Sequence, residues 1–219
     1  MPHRIRIWDL PTRLFHWLLA LCVIGLVASA KLGYMDWHFR LGYAVLSLLF
    51  FRFFWGLLGG RWSRFSSFLY SPASLWRYLR GRGDPSHAVG HSPTGALSVL
   101  ALLGFLLAQV ASGLISDDEI ASSGPLTHLV SGAWVSLATW YHRAVGQWVL
   151  IGLVVLHIAA TLYYLWGKQQ NLIRPMLSGD KILAHAVDAA RDDGRSRLLA
   201  LVLLLLCAGA VTLLLRLGA

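Results

Sequence analysis

Charge is scarce in this chain, and acid is scarcer than base. Only 13% of its 219 residues are charged, with 10 Asp and Glu against 19 Lys and Arg. So little charge, beside 57% hydrophobic residues and a mean hydropathy of +0.60, excludes an ordinary soluble domain and indicates several membrane-spanning helices. Cysteine is nearly absent: Cys22 and Cys207 both lie in apolar runs, which excludes a disulfide framework. The lack of any C-x-x-C-H excludes covalent c-type haem attachment. The formal net charge of +9 does not indicate nucleic acid, because the basic residues flank apolar segments and no groove-reading motif accompanies them. A cleavage site is missing after the first apolar segment, so that segment is expected to remain as a signal anchor.

What is present is a set of five apolar runs. They extend from about Leu14 to Leu32, His38 to Leu58, Gly95 to Ile115, Tyr141 to Trp166 and Leu198 to Leu217. Each is close to the roughly twenty residues that cross a hydrocarbon core of about 30 Å. The short link from Gly33 to Trp37 makes the first two an antiparallel pair. Fifteen of the 19 basic residues fall on one side if the N-terminus is cytoplasmic, leaving Lys31, Arg40, Arg143 and Arg216 opposite. That asymmetry predicts an N-terminus inside and a C-terminus outside. The external loop then opens with Asp117, Asp118 and Glu119, and Leu126 to Trp140 reads as a short surface helix. The internal loop from Gly59 to Pro93, rich in Arg, Gly and aromatics, reads as interfacial. Residues Asn171 to Arg197 read as a proline-broken amphipathic helix on the cytoplasmic face.

Four histidines sort by depth within this topology. His16 starts span one inside; His38 and His142 start spans two and four outside; His157 lies deeper, among Leu153–Ala160, where the sequence offers no polar neighbour. His142 and His157 are fifteen residues apart, roughly 22 Å along a helix and about 60° apart in rotation. Intramembrane histidines default to a functional reading. A six-coordinate b-type haem needs two axial imidazoles, and each depth supplies two, His38 with His142 and His16 with His157. Two haem b groups in series would carry electrons across the bilayer. Gly42 and Gly146, each four residues after an outer histidine, either make room for a flat macrocycle or mark close helix packing. Arg13 and Arg52 are candidates for the inner haem propionates, and Arg40 and Arg143 for the outer ones. Zinc is the rival reading, but no Cys or carboxylate clusters with these imidazoles. His3, His87 and His185 read as solvated, His91 as structural with a quinone site or proton path as the alternative, and His128 as an external-loop residue open to a substrate or partner.

The motifs IWDLPTRLFHWLL, HFRLGYAVLSLLFFRFFWG, GHSPTGAL, GPLTHLV, LHIAATLYY and NLIRPMLSG together resemble the bacterial di-haem cytochrome b-561 family, related to hydrogenase-type cytochrome b subunits. The resemblance covers roughly residues 5 to 180. It implies four transmembrane helices holding two b haems, with ligands at the positions of His16, His38, His142 and His157. It also implies electron exchange with the quinone pool and with a redox partner on the outer side. The fifth span and the outer loop depart from the simplest members, so substrate and partner do not carry over.

The resulting expectation is an all-α membrane protein of the bacterial inner membrane. Residues 1–166 form a four-helix di-haem core, 167–197 a cytoplasmic amphipathic segment, and 198–219 a peripheral fifth transmembrane helix facing lipid and dispensable for haem binding. Ala208-Gly209-Ala210 favours a close contact of that helix with a partner or a second copy. The expected function is transmembrane electron transfer between quinone and a periplasmic cytochrome c or other redox partner, as a quinone-linked oxidoreductase or an electron-transfer subunit. The alternatives are the membrane anchor of a larger oxidoreductase such as a hydrogenase, and a non-redox metal or proton transporter.

Overall fold

The structure, a computed structural model, describes residues 2–218. In chain order the regular elements are β1 (His3–Arg6), α1 (Leu10–Leu32), α2 (Met35–Leu58), α3 (Pro72–Leu79), α4 (Pro93–Leu114), α5 (Gly132–Trp140), α6 (Gln147–Trp166), α7 (Ile173–Ser178), β2 (Asp180–Leu183) and α8 (Gly194–Arg216). A π-helical segment, Tyr141–Gly146, joins α5 to α6 without a break. Among the described residues, five helices are long and apolar enough to cross a membrane: α1, α2, α4, the continuous Gly132–Trp166 helix and α8. The surface helix expected before Trp140 is therefore not separate. No proline follows Pro125 until Pro175, so nothing stops the fourth span from starting at Gly132.

The chain divides into two compact units. The first comprises the N-terminal segment through Phe15 with Arg52–Ala101 and Val155–Leu201; the second comprises His16–Phe51, Leu102–Val154 and the C-terminal segment from Val202.

In the first unit β1 and β2 pair antiparallel, with His3 opposite Leu183 and Arg6 opposite Asp180. Asp180 accepts from Arg4 and Arg6 at 2.8 and 2.6 Å, and Arg6 also pairs with Asp192, which is bound by Arg197 at 3.0 Å. The amphipathic helix expected over 171–197 is thus only α7, followed by a strand. Pro175 is tolerated because it lies in the first turn of α7, where no helical hydrogen bond is lost. Gly179 then ends the helix at φ 90°, with its missing Cβ position 2.7 Å from the Trp8 carbonyl. Its own carbonyl accepts from the backbone N–H groups of Ile7 and Trp8. Ile7, Trp8 and Val89 form a small buried core beneath this clasp.

Asp9 is fully buried at the start of α1. One carboxylate oxygen caps the helix by accepting from the Thr12 N–H at 2.8 Å, and the other accepts from the Ser63 hydroxyl at 2.7 Å. The Trp55 indole N–H approaches at 3.4 Å. A helix N-terminus favours such an anion through its unpaired N–H groups.

In the second unit Val45, Leu46 and Leu49 of α2, Leu106 and Val110 of α4, Leu150 of α6 and Val211 of α8 form one core cluster. The fifth span is therefore not peripheral: Val211 is 2% exposed and Cys207 is 4% exposed. Its following turn also rests on the loop before α5, since a Cβ on Gly218 would lie 1.8 Å from the Pro125 carbonyl. Composition hid this contact, because an apolar helix looks the same whether lipid or protein covers it.

Two outcomes follow. Asp9→Ala removes the cap and the acceptor approached by Ser63 and Trp55, and should cost about 2 kcal/mol of stability, read as a lowered denaturation midpoint in detergent. The Arg6 guanidinium holds the Asp180 carboxyl below the usual carboxylate range. Its contribution is then fully present above the unfolded value of about 3.9 and is lost as pH falls through the lower folded value. Amide exchange at Ile5 and Ile182 should therefore accelerate below about pH 4, beyond the intrinsic pH dependence of exchange.

Candidate cofactor site

His38 stands in the first turn of α2, and His142 in the π-helical segment. The His38 Nδ1 lies 3.0 Å from the Leu26 carbonyl of α1, and the His142 Nδ1 lies 2.9 Å from the Gln109 carbonyl of α4. A carbonyl only accepts, so each Nδ1 carries the proton and each Nε2 keeps its lone pair for a metal. The two ring centroids are 6.1 Å apart, with the rings nearly perpendicular at 85°. A metal–nitrogen bond of about 2 Å, with the ring centre about 1.2 Å further back, puts two axial imidazoles about 6.4 Å apart. The spacing fits a bis-imidazole iron, and among the described residues no group of three or more His, Cys, Asp or Glu suits a metal ion.

The backbone around His142 is built for this placement. A π turn removes one carbonyl from the regular helical ladder, and the Gln109 side-chain amide donates to the His142 carbonyl at 2.9 Å. Gly146 makes that reach feasible: a Cβ there would lie 1.9 Å from Gln109 Oε1. Of the two readings of Gly146, the structure supports close packing. Gly42 behaves differently, since nothing lies within 4 Å of its missing Cβ. Gly113, unnoticed in the sequence, sits against the His142 ring, where a Cβ would lie 2.8 Å from Cε1. Gln109 and Ser112 were also missed, although two polar residues three apart in an apolar span are themselves a signal.

The remaining candidates fall in both units. His16, in the second, is half-buried with its ring edge-on to Trp17 at 5.0 Å. His157, in the first, is half-buried on α6. Arg52 is 4% exposed, with its guanidinium 4.7 Å from the Phe65 ring and 6.0 Å from that of Phe68. Its Nη1 is buried and has no hydrogen-bond partner among the described residues. Gly56 lets Phe65 lie this close to α2, since a Cβ would meet that ring at 2.1 Å. Arg13 donates to the Leu177 carbonyl through Nη1, while its buried Nε has no hydrogen-bond partner among the described residues. Arg40 stacks on Trp37 at 5.6 Å, and Arg143 is exposed. His91 packs between Trp8 and Phe68, with centroids at 4.7 and 4.5 Å. His87 is not simply solvated: its Nδ1 accepts from the Asp84 N–H, and its ring meets Tyr70 and Tyr78 edge-on.

This arrangement has relatives. The family described as prokaryotic cytochrome b561 matches residues 7–179. The probable Ni/Fe-hydrogenase B-type cytochrome subunit of Bradyrhizobium diazoefficiens is 23% identical over 216 residues, covering 81% of this chain and 85% of that protein. The corresponding subunit of Cupriavidus necator is 26% identical over 79% of this chain and 85% of its own length. The probable Ni/Fe-hydrogenase 1 B-type cytochrome subunit of Escherichia coli K12 is 24% identical over 79% and 88%. No solved structure matches significantly. The family match covers most of the chain, including all four candidate ligands and the paired imidazoles described above. The chain is thus a multi-pass membrane protein of the b-type cytochromes and belongs to the prokaryotic cytochrome b561 family.

Proposed function

We propose that this protein is a di-haem electron carrier of the bacterial inner membrane, with its N-terminus cytoplasmic, linking the quinone pool to a redox partner on the periplasmic side. The observation that carries the reading is the His38–His142 pair, at a bis-imidazole spacing and with both tautomers set by neighbouring carbonyls. Haem b supplies one-electron chemistry when bound. The chain's part would be to offer the iron the Nε2 atoms of His38 and His142, with each ring kept oriented through Nδ1 and room left beside Gly42. A second centre is assigned to His16 and His157 from their shared depth in the sequence. Arg52, cationic and deeply buried with an unsatisfied Nη1, suits a propionate of that centre. The Lys and Arg asymmetry supports the orientation.

A second reading, favoured by the relatives' names, makes the chain the cytochrome subunit of a larger membrane oxidoreductase, with a hydrogenase or similar enzyme as the periplasmic partner in place of a cytochrome c. Both readings need the same wiring, so both are tested first by a reduced-minus-oxidised spectrum of the purified protein; no b-type bands would end them. Co-purification with a hydrogenase-like partner separates them.

The centres should respond separately. His38→Ala and His142→Ala should each deplete one haem, and His16→Ala and His157→Ala the other, read as haem per protein with low-temperature spectra. Loss of the same centre from the His16 and His38 variants would overturn the pairing. Gly146→Ala should overpack the Gln109 side chain at a cost of about 1–3 kcal/mol and deplete only the His38–His142 centre.

A further inference from the structure

The two imidazoles of the second unit share a second feature. The Leu26 carbonyl that accepts from His38 also accepts the Ser29 hydroxyl, at 3.2 Å. The Gln109 carbonyl that accepts from His142 also accepts the Ser112 hydroxyl, at 2.9 Å. In each case the serine lies three residues after the carbonyl, on a helix that carries no ligand of this pair, and is buried, at 6% and 9% exposure. Ser112 Oγ is also 3.3 Å from His142 Nδ1 itself. Serines often bond back along their own helix, as Ser47 does to the Tyr43 carbonyl. Ser29 and Ser112 differ from that ordinary case, because the carbonyl each one shares is the partner of a candidate iron ligand.

That sharing has an electronic consequence. An Nδ1–H bond to a strong acceptor gives the imidazole anionic character and makes its Nε2 a better donor to oxidised iron. A hydroxyl bonded to the same carbonyl draws on the same lone-pair density, so the acceptor left for Nδ1–H is weaker. The ligand is then a poorer donor, and ferric iron is less favoured. Second-sphere hydrogen bonds and burial are the levers by which a protein sets a haem potential.

We propose that Ser29 and Ser112 are positioning residues that raise the reduction potential of the centre held by His38 and His142, by competing for the carbonyls that hold the two Nδ1 protons. The proposal rests on the haem reading above and adds a role for two residues outside the ligand set. Removing either hydroxyl strengthens the remaining Nδ1–H bond to the carbonyl and stabilises the ferric state; at His142 this outweighs the lost contact with Ser112 Oγ, which at 3.3 Å is longer than the 2.9 Å bond to the carbonyl.

The experiment is a spectroscopic redox titration of the purified, haem-loaded full-length protein, comparing wild type with Ser29→Ala, Ser112→Ala, the double variant and the two Ser→Thr variants. Each Ala variant should keep both haems and shift the ferric/ferrous equilibrium of this centre towards ferric by up to tenfold, about 59 mV for a one-electron couple. The double variant should shift it further. The other centre should not move, and the Thr variants, which keep a hydroxyl, should stay near wild type. An unchanged or raised potential in a fully loaded Ala variant, an equal shift of both centres, or loss of the haem from Ser112→Ala and Ser29→Ala alike would overturn the proposal. Wild-type protein lacking a bis-histidine b-type signal would instead sink the haem reading itself.

Discussion

An imidazole inside an apolar bundle has two ring nitrogens to satisfy and no bulk water to satisfy them. Where lipid excludes solvent, backbone carbonyls are normally consumed by their own helices, and a side chain that borrows one must find it at the right depth and angle. His38 and His142 each borrow a carbonyl from a neighbouring helix. That bond sets the tautomer and the ring orientation, and it ties α1 to α2 and α4 to the π-helical segment. The glycines, the amide of Gln109 and the two buried serines are arranged around this requirement. Replacing the imidazoles by apolar residues would remove both of these ties between helices.

The first unit meets the same constraint differently. Its buried carboxylate, Asp9, has Thr12 N–H and the Ser63 hydroxyl as donors, each within 2.8 Å. Satisfied in this way, a charge that would cost several kcal/mol if left bare becomes the fixed start of α1. The clasp of β1 on β2 holds the chain just before that start, so the entry of the first spanning helix is set from both sides.

Much of this architecture was legible in the residues because apolar runs of membrane-spanning length have few other uses. The five spans came from that pattern, whereas the resemblance to the cytochrome b561 family rests on motifs such as IWDLPTRLFHWLL and NLIRPMLSG. What stayed hidden was whatever depends on a single partner elsewhere in the chain. The strands His3–Arg6 and Asp180–Leu183 are four residues each, too short to show a period-two pattern, and they pair across almost the whole sequence. The π-helical insertion leaves no composition signature at all. Val211 reads as a lipid-facing residue until the core cluster containing it is seen. Gln109 was readable in principle, since an amide in an apolar span needs a reason, but its target is a carbonyl of the π-helical segment, which the sequence does not announce.

The unbroken helix from Gly132 to Trp166 is 35 residues long, or about 52 Å. Spanning a hydrocarbon layer of about 30 Å with all of that length would require a tilt of about 55°, beyond the 0–40° range that transmembrane helices adopt. Tilt alone therefore cannot absorb the mismatch, and part of this helix must leave the hydrocarbon. The π-helical segment lies in its first half, so His142 stands ten residues, about 15 Å, from the start of a helix that is longer than the hydrocarbon layer it can cross.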